Sequence, residues 1–223
     1  MPLLDLLLPP RCGGCRALGS WLCSRCRARI RRLEDPLCPR CGAEKESAAR
    51  CPCWHRLRHL GRLRAAAAYE GPLERAIHRF KYEGWRSLAR PLASLLADRL
   101  AVDALPASLL VPVPLHSRRL KTRGYNQSEL LARELARALH LKPPWTALRR
   151  TSDTPPQVGL DRLRRQNNVT GVFTWRGPAL HGEPVLIIDD VATTGATLEA
   201  CARALKDAGS GSLTGLVLAR VRI

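Results

Sequence analysis

The segment Val185-Leu-Ile-Ile-Asp-Asp-Val-Ala-Thr-Thr-Gly-Ala-Thr197 restricts what this chain can fold into more than any other stretch of it. An apolar, β-branched run reads as a buried strand, and two adjacent carboxylates, Asp189 and Asp190, stand at its carboxyl end. A small, hydroxyl-rich turn follows. Leu198, Cys201, Ala202 and Leu205 then recur at helical spacing as far as Asp207. The unit is strand, phosphate loop, helix. Backbone amides at a helix start can point at a phosphate, and the Thr193, Thr194 and Thr197 hydroxyls add donors. Gly195 permits close backbone approach. There is no Gly-Lys-Thr, so this is not a Walker loop. Carboxylates beside a phosphate site are useful if they accept hydrogen bonds from sugar hydroxyls or face Mg²⁺. A ribose 5-phosphate meets both conditions. The plainer alternative is a buried strand whose acid pair caps the next helix.

The 223 residues suit one α/β domain with a small additional module. Lys and Arg outnumber Asp and Glu by 37 to 19, for a formal net charge of +18. That excess favours polyanions, either nucleic acid or a small phosphate-rich substrate, unless it only solvates the surface. Met1–Pro10 is apolar but short, carries Asp5 and ends in two prolines, so it does not read as a signal peptide. No stretch reaches the ~18 apolar residues of a membrane span. A cytoplasmic protein is expected.

Eight of the nine cysteines fall between Cys12 and Cys53, in pairs: Cys12 with Cys15, Cys23 with Cys26, Cys38 with Cys41, and Cys51 with Cys53. A Cys-x-x-Cys turn brings two thiolates onto one tetrahedral ion, and two turns complete a structural site. Four pairs therefore predict two zinc ions. The last pair encloses only Pro52, and His55 just beyond it is an alternative ligand. Whether neighbouring or alternating pairs share an ion is left open by spacing. The basic run Arg25–Arg32 is either a solvated helix or a surface for a phosphate backbone. Trp21 and Trp54 either pack beside the knuckles or stack on bases.

Beyond about residue 60 the spacing predicts a strand over 63–69, helices over 73–82 and 88–100, and a buried strand over 109–114. Arg118, Arg119, Lys121 and Arg123 make a cationic loop after that strand. Gly124-Tyr-Asn-Gln127 then opens an amphipathic helix. Such a loop is a natural anion seat for pyrophosphate. A polar, turn-rich segment over 149–157, continuing to Arg165 and Asn168, is either a loop closing over substrate or ordinary surface. A last strand, 212–221, would complete a parallel sheet.

The Asp-Asp loop resembles the phosphoribosyl pyrophosphate (PRPP) motif of type I phosphoribosyltransferases. Further motifs stand in order along the chain. They are the paired knuckles, His78-Arg-Phe-Lys-Tyr-Glu-Gly84, Val111-Pro-Val-Pro114, Arg123-Gly-Tyr-Asn-Gln127, Thr154-Pro-Pro-Gln157 and Arg165-x-x-Asn168. In that order the whole chain resembles the ComF family of competence-associated proteins. The resemblance implies an α/β type I phosphoribosyltransferase fold, a mostly parallel sheet with flanking helices, over 61–223. A double zinc-ribbon module over 1–60 precedes it. It also implies PRPP with Mg²⁺ as ligand, and single-stranded DNA with DNA-uptake or helicase proteins as partners. Asp189 and Asp190 would face the ribose, and Val191, Ala192, Thr193, Thr194, Gly195, Ala196 and Thr197 the 5-phosphate. Lys81, Pro114, Leu115, Arg123, Asn126 and Gln127 fall on the pyrophosphate side, and Gln157 and Arg165 on a lid. No residue stands out as a general base, so a transferase competes with a PRPP-responsive binding protein and a DNA-binding adaptor.

Overall fold

The computed structural model describes residues 9–44, 51–105, 109–151 and 172–222. Gln157, Arg165, Asn168 and residues 1–8 lie outside these residues, as do the side chains of Pro52 and Trp54. Four parallel strands form the central sheet. They are β1 (Arg62–Ala68), β2 (Leu109–Pro112), β5 (Val185–Ala192) and β6 (Leu213–Arg220), arranged β1-β6-β5-β2. Register runs Ile187 to Gly215 on one side of β5 and Ile187 to Val111 on the other. Two further strands, β3 (Leu148–Arg150) and β4 (Phe173–Trp175), pair antiparallel as a separate short ribbon.

Both faces of the sheet are covered, as its near-continuous apolar strands require. Val185 and Ile187 join one cluster with Leu198, Cys201, Ala202 and Leu205 of helix α6 (Ala196–Asp207). Leu186 and Ile188 point into the opposite cluster. There they meet α2 (Gly71–Tyr82), α3 (Ala89–Val102) and α5 (Gln127–Ala138). The helices expected over 73–82 and 88–100 and the one opened by Gly124–Gln127 thus correspond to α2, α3 and α5, and the strand expected over 212–221 to β6. The cationic stretch after β2 differs from its expected loop. It is a short helix α4 (Ser117–Arg123), capped by the His116 side chain and stopped by left-handed Gly124.

The cysteine-rich segment is seated on the domain by backbone as well as side chains. It contains one short helix, α1 (Ser24–Ala28). Residues 31–40 run beside the free edge of β1: Ala68 N donates to Arg31 O (2.9 Å) and Leu63 N to Arg40 O (2.7 Å). Covering an edge in this way removes a row of unpaired amides. The approach is close enough that a Cβ on Gly42 would fall 2.5 Å from Leu63 O. The basic run is helical only as far as Ala28. Arg27 and Arg32 both pair with Asp98 (2.9 Å each), and Arg31 pairs with Glu44 (2.6 Å) and Glu70 (2.9 Å). Trp21 packs edge-on against Trp85, with centroids 6.4 Å apart. No described helix is long and apolar enough to cross a membrane.

Candidate functional site

The carboxyl end of β5 delivers both acids and the loop to one edge of the sheet. Asp189 and Asp190 are buried. Val191 is half-buried, Ala192 and Gly195 are buried, and Thr193, Thr194, Ala196 and Thr197 are exposed. Gly195 is the N-cap of α6 at φ +85°, a left-handed conformation that glycine adopts without steric cost, and it has no side chain with which to cap the helix. The amides of the first helical turn lie beside the Thr193, Thr194 and Thr197 hydroxyls of the loop. Thr194 Oγ1 accepts from Ala196 N at 3.4 Å.

The two acids are held differently. Asp189 Oδ1 accepts from Ser128 Oγ (2.7 Å) and from Asp190 N (2.9 Å). Burial first, and the adjacent Asp190 second, push the Asp189 carboxyl up to about 7, against the pull of Ser128 and Lys81. Asp190 Oδ1 meets Lys81 Nζ at 2.9 Å. Burial lowers the Lys81 pKa, but Asp190 outweighs it, so the ammonium stays above the ordinary lysine value. Asp190 Oδ2 is buried and accepts no hydrogen bond from the described residues. A buried carboxylate oxygen left without a donor carries a desolvation cost unless a ligand hydroxyl or a cation meets it.

The Arg123–Gln127 motif splices α4 into α5 beside this pair. Tyr125 Oη donates to Phe80 O, and Arg86 lies over the Tyr125 ring at 4.7 Å. Asn126 spends both amide atoms on the fold: Oδ1 caps Ser128 N (3.0 Å) and Nδ2 donates to Val113 O (3.0 Å). Gln127 is buried and accepts from Arg123, whose guanidinium lies 5.2 Å over Tyr82. Pro114 and Leu115 are half-buried in the loop after β2, at the same edge of the sheet as the acids. Ser128 is the site residue that sequence reasoning missed. Its only signal was a hydroxyl in the first turn of the helix that Asn126 opens.

Neighbouring cysteine pairs converge. Cys12, Cys15, Cys23 and Cys26 form one set, and Cys38, Cys41, Cys51 and Cys53 the other, with ligand atoms within 4.8 Å of one another in each. The Cys15–Cys23, Cys38–Cys53 and Cys41–Cys51 sulfur separations are 3.7, 3.6 and 3.5 Å. These approach the ~3.8 Å edge of a tetrahedron whose Zn–S bonds are about 2.3 Å, and far exceed a disulfide bond. Backbone N–H groups bring the Cys12 and Cys38 thiols down to about 6 and about 7 against the effect of burial, while burial and the neighbouring thiols push Cys26, Cys41 and Cys53 up. Cys51 opens a 3₁₀ turn (Pro52–His55), which lets a one-residue spacing serve where the other pairs use two. His55 is exposed and stands outside both sets.

A parallel sheet carrying an acid pair and a glycine-led loop at its carboxyl edge, preceded by two four-cysteine sites, defines a type I phosphoribosyltransferase domain with an N-terminal double zinc ribbon. Residues 3–61 match the double zinc ribbon domain, and residues 126–222 the phosphoribosyl transferase domain. The chain is 35% identical over 228 residues to the DNA utilization protein YhgH of Escherichia coli strain K12, covering 96% of this chain and 99% of that one. It is 32% identical to competence protein F of Haemophilus influenzae, with 94% and 96% covered. To competence protein ComFC of Bacillus subtilis it is 28% identical, with 89% and 84% covered. The chain belongs to the ComF family.

Proposed function

We propose that this edge of the sheet binds PRPP, with the acids on the ribose hydroxyls and residues 191–197 around the 5-phosphate. The observation that carries the reading is that Asp190 Oδ2, buried without a donor among the described residues, stands with a glycine-led helix start whose N-cap has no side chain. A ribose offers hydroxyl donors to the first and a phosphate suits the second. The oxygen-only donor set also fits Mg²⁺, a hard cation; Asp189 and Asp190 are the carboxylates available to it, and the bound ion would neutralise pyrophosphate oxygens. In this reading residues 1–60 are the ribbon module and 61–223 the ligand-binding domain.

In the transferase form of this reading, the bond between ribose C1 and a pyrophosphate oxygen breaks, the oxygen leaving with the bonding pair, and one forms from C1 to an acceptor nitrogen, whose proton passes to solvent. The transition state of such a displacement is oxocarbenium-like, as in other glycosyl transfers. The chain's share is to fix the sugar and the leaving group in line. A second reading, a single-stranded DNA adaptor in DNA uptake, is favoured by the net charge of +18 and by relatives named for DNA utilization and competence.

Calorimetric titration with PRPP and Mg²⁺ tests the site. The Asp189→Asn/Asp190→Asn double variant should lose about 100-fold or more in affinity, because each hydrogen bond to a charged group contributes about 1.5–3 kcal/mol. Unchanged affinity in a folded, zinc-loaded variant would sink the assignment. Adding a single-stranded oligonucleotide to the same samples tests the second reading. Its binding should weaken steeply with salt, and no binding at low salt ends that reading.

A further inference from the structure

Glu199 stands in the first turn of α6, four residues beyond Gly195, where a carboxylate ordinarily complements the helix dipole. Here it turns away from its own helix. Oε1 accepts from Arg58 N (2.9 Å), His59 N (2.9 Å) and His59 Nδ1 (2.7 Å), and Oε2 from Leu60 N (3.0 Å). Three consecutive backbone amides closed on one carboxylate form an anion nest supplied from within the chain. Glu199 N meanwhile donates to Gly195 O at 2.9 Å, so the same residue holds the N-cap.

The segment that Glu199 grips is continuous with the second four-cysteine site. Cys53 O accepts from Arg56 N and Leu57 N, both at 2.9 Å. Leu57 is fully buried, and its Cδ2 lies 3.2 Å from where a Cβ on Gly195 would stand, with Leu63 Cδ2 at 3.4 Å. The floor of the phosphate loop is therefore a leucine four residues from a metal ligand. The start of its helix is tied to the next three residues. The first four-cysteine site makes its contacts elsewhere: Gly14 O accepts from Arg75 Nε (2.7 Å), and Arg27 reaches Ser94 and Asp98.

We propose that Glu199 is a positioning residue that locks the phosphate loop to the second four-cysteine site. The loop's affinity for a phosphate-bearing ligand then falls when that site loses its metal, and holds when the first site does. The proposal rests on the ribose-phosphate reading of the loop and adds what sets its geometry. It also fixes the sign of an experiment. Neutralising a carboxylate near a helix N-terminus ordinarily removes a repulsion and tightens anion binding. If Glu199 instead holds the loop, neutralising it weakens binding.

The test uses the full zinc-loaded chain, with ribose 5-phosphate and inorganic phosphate as probes in calorimetry. Glu199→Gln should keep two zinc per chain and weaken both probes by about tenfold, because the amide holds the three backbone N–H groups through neutral rather than charge-assisted hydrogen bonds. Tighter or unchanged binding overturns the proposal. Cys51→Ser should weaken the probes similarly, and Cys15→Ser should leave inorganic phosphate, which reports the loop alone, within about twofold. Equal effects from the two cysteines also overturn it. Should Cys51→Ser fail to fold, Glu199→Gln decides alone. Backbone hydrogen exchange at residues 193–199 gives a readout independent of any ligand. It should accelerate in Glu199→Gln, and unchanged exchange counts against the lock. A wild type that binds neither probe removes the ribose-phosphate reading, while the exchange measurement still judges the lock.

Discussion

The two four-cysteine sites share a ligand pattern but stand on different parts of the phosphoribosyltransferase domain. The first rests against α2 and α3, through Gly13 and Gly14 carbonyls that accept from Arg79 and Arg75 and through Arg27 on Asp98. Helix α2 is the element that carries Lys81 to Asp190. The second shares a hydrophobic cluster with α6, Cys38, Cys41 and Cys53 among its members, and Arg220 donates to Cys41 O at 2.8 Å. One ribbon thus backs the acid side of the site and the other backs the loop side. Repetition in sequence has become a division of support.

Zinc removal should divide the two sites most sharply. Cys15 is exposed and Cys23 half-exposed in the first set, whereas only Cys51 is accessible in the second. A chelator should therefore take the first equivalent quickly from the first site and the second slowly. Alkylation followed by mass spectrometry should label Cys15 and Cys23 before Cys51 and Cys53. Complete removal should unfold the ribbons and expose the β1 edge, because structural zinc contributes on the order of 10 kcal/mol per site that is folding energy. Simultaneous release of both ions, or labelling in the opposite order, would break the comparison.

The next effect in size belongs to the acid side. Lys81→Met leaves the Asp190 carboxylate, with a side chain only 4% exposed, without its cation. Removing one partner of a buried pair costs about 3–5 kcal/mol, so the melting temperature should fall markedly. The second zinc should stay in place. A variant as stable as wild type at neutral pH would show that the pair does not hold α2 to the sheet.

What could be read from the sequence was local. The strand, loop and helix over 185–207 follow from period and composition within about twenty residues. The cysteine sets follow from pair spacing, but which pairs join depended on the fold, and the structure brings neighbours together. The β3–β4 ribbon escaped notice because three-residue strands carry too little alternation to register. The cationic stretch before Gly124 has a helix's cap and stop, but its seven residues include no buried one to show an apolar face. Ser128 and Glu199 were illegible for another reason. Their partners lie 61 and about 140 residues away in the chain, and nothing local marks either contact. Asn126 and Gln127 were legible as a motif, yet their side chains serve the helix start and Arg123.

The last contrast concerns the acids themselves, and its sign follows from linkage. Asp189 titrates near 7 in the folded chain, well above its ordinary value of 3.8, because it is buried beside Asp190. Below about pH 4 the group is protonated whether the chain is folded or not, and it costs the fold nothing. Between there and about pH 7 the folded state holds a proton that the unfolded state has released, so stability falls as pH rises. Above that the full cost of a buried charge applies. Asp189→Asn keeps an acceptor for Ser128 and removes the titration. It should therefore match wild-type stability near pH 4 and exceed it at pH 8 by about 2 kcal/mol, with a ceiling of about 4 kcal/mol set by the size of the shift. Denaturant melts at the two pH values measure this directly. An advantage independent of pH would mean that Asp189 is already paired at neutrality. The acid side would then be as settled as the loop side, with no cost held in reserve for a ligand to relieve.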